Sequence, residues 1–223
     1  MTRHFQNEID RLKKKILHLA AMVEENLQFA VESITEFNID LADKVINSDP
    51  AVDSLEVEVE EDCLKILALH QPVAADLRYV IAVLKINNDL ERIADLAVNI
   101  AERTKTINRH SQVEIPFDLH EMLNITVEMV KSSVDALVTN DTNKAYQVIR
   151  EDDKIDDLDA NAFEVVQKQI CINPKYTEYY VSLLSVSRNL ERIADHATNI
   201  AEDVIYMIEG EVVRHKKFKI SER

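Results

Sequence analysis

The chain has one glycine, Gly210, in 223 residues. Tight hairpins draw on glycine-bearing turns, and loops that cradle phosphates need several glycines at fixed spacing. A Rossmann or P-loop nucleotide site therefore cannot be built here, and a sheet rich in hairpins is disfavoured. Cysteine is scarce: Cys63 and Cys171 are the only two. With no C-x-x-C spacing for a redox or zinc motif, both read as buried free thiols in helical segments. Positive charge is in deficit, with 26 Lys and Arg against 41 Asp and Glu and a formal net charge of −15. A field of that sign repels nucleic-acid backbones and acidic membrane surfaces. The basic tail Arg214, His215, Lys216, Lys217 and Lys219 is the exception, and it reads as a solvated terminus, with a contact site as the alternative. No run of about 20 apolar residues and no apolar signal core are present, so no membrane span and a cytoplasmic location are expected.

What the chain does have is apolar content, 46%, spread at helical spacing among good helix formers. Ile9, Leu12, Ile16, Leu19 and Val23 form one stripe; Ile115, Leu119, Leu123, Val127 and Val130 form another. Pro50, Pro72, Pro116 and Pro174 are each expected at or near a helix start, where a missing N–H is harmless. The pattern predicts an all-α chain of six helices, over about 3–38, 41–69, 72–108, 116–138, 142–171 and 174–218.

The sequence also repeats. NDLERIADLAVNIAE at 88–102 and RNLERIADHATNIAE at 188–202 agree at 11 of 15 positions, 100 residues apart. Upstream, Asp49 and Asp53 are echoed by Asp152 and Asp156, 103 residues on. The order helix, D-x-x-x-D helix, E-x-x-x-D helix thus occurs twice. Internal duplication of a three-helix unit predicts two pseudo-symmetric three-helix bundles, 1–110 and 111–223, arranged end to end.

Residues four apart share a helix face. Glu91, Asp95 and Asn99, with Glu102 close by, therefore line up on the side opposite Ile93, Ala97, Ile100 and Ala101; Glu191, Asp195, Asn199 and Glu202 repeat the arrangement. Like charges at i,i+4 cost a few tenths of a kcal/mol, roughly, unless something offsets them. Arg92 and Arg192 point about 100° away from the adjacent glutamates at the 3.6-residue helical period. Three readings remain open: a solvated acidic face, a face that meets a basic partner, and a site for a hard cation held by carboxylate and amide oxygens. His196, in the place of Leu96, reads as a surface residue or a support to the ligands more than as a ligand itself, and the absence of any other histidine at these stripe positions weighs against zinc there. No Glu-x-x-His pair occurs in either stripe, and no Ser or Cys partners a His as an activated nucleophile, so no catalytic residue is assigned.

These motifs, with QPVAADLR at 71–78 and REDDKID at 150–156, resemble the PhoU family of phosphate-transport regulators over nearly the whole chain. Ala94 and Ala194 stand where members often carry glycine. The resemblance implies a cytoplasmic, dimeric, non-catalytic adaptor that negatively regulates phosphate uptake and homeostasis. Its implied partners are the ATPase subunit of the phosphate importer and the phosphate-sensing histidine kinase. It also implies surface clusters of iron, zinc, magnesium or manganese on Asp49 with Asp53, Glu91 with Asp95, Asp152 with Asp156, and Glu191 with Asp195, with Asn99 and Asn199 as additions. The alternative is a metal-storage or metal-dependent hydrolytic bundle.

Overall fold

The computed structural model describes residues 3–213. Six α-helices account for most of them: α1 (Arg3–Thr35), α2 (Ile39–His70), α3 (Ala74–Asn108), α4 (Leu119–Thr139), α5 (Thr142–Ile172) and α6 (Thr177–Glu209), with a 3₁₀ turn at Pro174–Tyr176 before α6. The basic tail lies outside the described residues. Helix α6 stops well before the expected 218: Gly210 adopts φ 76°, and its N–H closes on Tyr206 O at 2.9 Å. A left-handed C-cap is where a lone glycine is worth most.

The two halves begin their middle helices alike. Asn38 caps α2 by accepting from the N–H groups of Asp40 and Leu41; Asp141, 103 positions later, caps α5 through Asn143 and Lys144. Each cap satisfies donors that the first turn leaves open. Helix α4 starts at Leu119, because Asp118 caps Glu121 N–H, and so Ile115 and Pro116 precede it. Pro50 departs from expectation. It sits inside α2 rather than at a start, on the exposed side, where it withholds one backbone donor from the helix.

Helices α1, α2 and α3 pack mutually, as do α4, α5 and α6. The expected stripe Leu12, Ile16, Leu19 and Val23 is fully buried in the first bundle; Leu119, Leu123 and Val130 are buried in the second. The bundles do not meet end to end. Among the described residues, α3 and α6 share the most extensive helix–helix contact, and α1 also touches α4. Partners along the α3–α6 seam run in opposite directions: Arg78 reaches Met207 O, Lys85 reaches Asp203, and Asp89 reaches His196. The bundles therefore lie side by side with α3 and α6 antiparallel. Repeated alanines at 94, 97, 101, 194, 197 and 201, all buried, suit close helix approach. Cys63 is buried but Cys171 is exposed, against expectation, since it falls on the outer face of the last turn of α5. Both are free thiols.

Candidate metal-binding stripes

Each bundle carries an acidic group where its second helix runs beside its third. In the first, Asp49 and Asp53 of α2 approach Glu91 and Asp95 of α3. Burial raises the Asp49 carboxyl above its ordinary range, and the charges of Asp53 and Asp95 push it further. Glu91 is likewise raised by burial and then by Asp95, with Arg92 opposing. In the second bundle, burial lifts Asp152 to about 6, aided by Asp195 and Asp156; a 3.3 Å bond from Thr198 works the other way. Burial and Asp195 also raise Asp156 and Glu191, while Arg188 lowers both. The residues pointed out by the repeat thus come together as two interhelical groups, each a patch of crowded negative charge.

Two residues join these groups that the i,i+4 pattern did not single out. Glu56 lies one turn beyond Asp53, and Asp159 one turn beyond Asp156, again 103 positions apart. Asn87 Nδ2 donates to Glu56 Oε1 at 2.8 Å, while Ser187 Oγ donates to Asp159 Oδ1 at 2.7 Å. Asn87 and Ser187 are themselves 100 positions apart. The signal was present as D-x-x-x-D-x-x-E and D-x-x-x-D-x-x-D, legible once i,i+3 neighbours are counted on the same face.

The structure also revises the charge balance. Arg92 does turn back, with Nε 3.4 Å from Glu91 Oε2 and Nη1 3.1 Å from Asp95 Oδ2. A long, flexible side chain spans the angle that separates its Cα from the stripe. In the second half the equivalent role passes to Arg188, whose Nη1 lies 3.2 Å from Asp159 Oδ2 and 3.0 Å from Glu191 Oε1. Part of the like-charge repulsion is therefore met by arginine. Asn99 and Glu102 are exposed. Asn199 instead donates its amide to Asp89 Oδ1 at 3.3 Å, and His196 Nδ1 lies 2.8 Å from the same oxygen. Both side chains are turned toward α3 at the seam between bundles.

The donor set is all oxygen, which suits hard cations. Within the stripes, and among the described residues, two carboxylate oxygens, Asp49 Oδ1 and Glu191 Oε2, are buried with no hydrogen-bond partner. Such atoms are costly unless something answers their charge, and each belongs to a different stripe. Among the described residues, however, no three stripe carboxylates bring oxygens within 4.8 Å of one another. The arrangement fits a cation that keeps much of its water, not one enclosed by protein ligands.

Among the described residues no helix is long and apolar enough to cross a membrane. The PhoU domain model matches the chain twice, at residues 16–104 and 119–204, one match to each bundle. The phosphate-specific transport system accessory protein PhoU homolog 1 of Thermotoga maritima is 35% identical over 93% of this chain and 90% of its own length. The corresponding homolog of Aquifex aeolicus is 37% identical over 95% and 96%. Among solved structures, PhoU from Pseudomonas aeruginosa superposes with TM-score 0.88 at 30% identity, covering 93% of this chain and all of that one. The phosphate transport system regulatory protein PhoU from Streptococcus pneumoniae gives 0.82 at 26% identity, covering 94% and 99%. With both halves matched and relatives aligned almost end to end, the chain belongs to the PhoU domain family.

Proposed function

We propose that this protein is a cytoplasmic regulator of phosphate homeostasis, acting without catalysis as an adaptor that restrains a high-affinity phosphate importer and its sensor-kinase signalling when phosphate is plentiful. The observation that carries this reading is the similarity over 93–95% of the chain to proteins named as accessory to phosphate-specific transport. Rigid, paired helical bundles with acidic interhelical grooves suit recognition more than turnover. The importer's ATPase subunit and the sensor kinase are the proposed partners, and a homodimer is the proposed assembly. Residues 1–110 and 111–223 are the proposed duplicated units.

The acidic stripes are the proposed metal sites. Asp49, Asp53, Glu91 and Asp95 would hold a hard cation in the first, and Asp152, Asp156, Glu191 and Asp195 in the second, with Glu56 and Asp159 at their edges. Asn99 would add to the first set, while Asn199 would have to leave Asp89 to join the second. A bound cation would supply positive charge to faces that otherwise repel acidic partners. Support comes from the unpartnered Asp49 Oδ1 and Glu191 Oε2.

Two measurements test the reading. In the source cell, deleting the gene should switch on phosphate-starvation transcription in phosphate-rich medium, and the native gene should restore silence; no change on deletion would reject the regulatory role. For the sites, bound metals are measured by elemental mass spectrometry on untagged protein and on the Glu91→Ala, Asp95→Ala, Glu191→Ala, Asp195→Ala variant. Stoichiometric metal lost in a variant that still folds is expected. Equal trace metal in both would leave the stripes as solvated or partner-contact faces.

A further inference from the structure

Far from the acidic stripes, at the end of the first bundle where α1 begins and α2 finishes, three different ligands converge. His4 and Glu8 are four apart and so share one face of α1. His70 is the last residue of α2, where Gln71 takes a left-handed conformation and ends the helix. The antiparallel packing of α1 on α2 brings the three together across 62 residues of sequence. Glu8 uses both oxygens: Oε1 lies 3.4 Å from His4 Nε2, and Oε2 hydrogen-bonds to His70 Nε2. Among the described residues this is the one group of three His, Cys, Asp or Glu whose ligand atoms all lie within 4.8 Å of one another.

We propose that His4, Glu8 and His70 form a binding site for a divalent transition ion, with Zn²⁺ the favoured occupant. Two imidazole nitrogens and a carboxylate oxygen match the borderline ions of that class and are the wrong donors for Mg²⁺ or Ca²⁺. Zinc takes such ligands at about 2.0–2.2 Å, which in a tetrahedron sets the ligand atoms roughly 3.3 Å apart. The His4–Glu8 separation already matches. Glu8 and His70 are anchored, with side chains 14% and 18% exposed, and Phe5 packs against the His70 ring at 5.1 Å between centroids. His4, 74% exposed, is free to swing the remaining distance, and its open side leaves the fourth position to water.

A simple ion pair between Glu8 and His70 accounts for one contact, but it places no second imidazole on the other carboxylate oxygen. Arg11 and Lys65 line the narrow depression beside Glu8, with Asp62 among them, so a bound cation is not surrounded by negative charge alone. Selectivity there rests on donor type, whereas the stripes offer charge. With ligands from the first turns of α1 and the last residue of α2, the ion would tie together the free end of the first bundle. It would also give the protein a second metal class, separate from any oxygen-held ion on the stripes.

The test uses the full untagged chain in excess Mg²⁺, which occupies oxygen-only sites, titrated with Co²⁺ and then Zn²⁺. One Co²⁺ per chain with the visible absorption of four-coordinate cobalt, displaced by one Zn²⁺, is the expected result. His4→Ala and His70→Gln should each weaken zinc binding at least tenfold and remove the band. A variant with Asp95 and Asp195 changed to Asn should keep both. His4 is on the surface, so its variant should fold, which circular dichroism checks. Failure of the native chain to take up Zn²⁺, or unchanged zinc affinity in His4→Ala, would overturn the proposal.

Discussion

Lys85 Nζ lies 2.8 Å from Asp203 Oδ1, joining α3 of the first bundle to α6 of the second. Asp203 is almost wholly enclosed, its side chain 2% exposed, while the Lys85 side chain is 37% exposed. The pair has no counterpart in the duplication: the residues at the matching positions are Ser185 and Arg103. It is thus a contact of the assembled molecule and not of the repeat.

Lys85→Met withdraws the cation while Asp203 stays buried. A loss of about 1–3 kcal/mol in urea unfolding is expected, below the cost of breaking a fully buried pair because Lys85 is partly solvated. Lys85→Met combined with Asp203→Leu should recover part of that loss. Additive losses in the double mutant would show that the two do not act as a pair.

The unpartnered Asp49 Oδ1 makes metal removal informative. In chelator, Asp49→Asn should raise stability by roughly 0.5–1 kcal/mol, because it relieves a partly buried carboxylate crowded by Asp53 and Asp95. With saturating Mn²⁺ the order should reverse. Thermal melts with and without the ion decide it, and a variant equally stabilised in both would count against cation binding at this stripe.

Glu24, half-buried between α1 and α4, has its carboxyl raised above the ordinary glutamate range by burial and then by Asp135, with Lys131 opposing. A raised carboxyl binds its proton more tightly in the folded state, so this contribution favours the fold below the unfolded-state value and fades as pH rises through the folded one. Glu24→Gln should therefore raise the melting temperature at pH 7 by a degree or more, roughly, and leave it unchanged near pH 4. Equal gains at both pH values would assign the effect to packing instead of charge.

Pro50 inside α2 leaves the Ile46 carbonyl without its helical donor. Pro50→Ala should stabilise the protein by about 1–2 kcal/mol, less than the full proline penalty because the site is exposed and the helix is already adapted to it. Chemical unfolding checks the sign. A loss of stability would mean that the distortion serves the position of neighbouring Asp49.

The helices, the duplication and the shared face of the carboxylates were legible in the sequence because each is local or periodic. A 3.6-residue repeat orients Glu91, Asp95, Glu191 and Asp195 whatever the helices later pack against, and the offset between the two LERIAD segments declares the second bundle before any contact is known. What depended on the register of one helix against another could not be read that way. Tertiary structure alone decided that the bundles lie side by side along α3 and α6, and that His196 and Asn199 turn toward Asp89. It also decided that Arg188 takes in the second half the place Arg92 holds in the first, and that His70 meets His4 and Glu8. Each joins residues whose distance is set by helix crossing and by long side chains free to choose among neighbours, and neither quantity is written in the spacing of one strand of sequence.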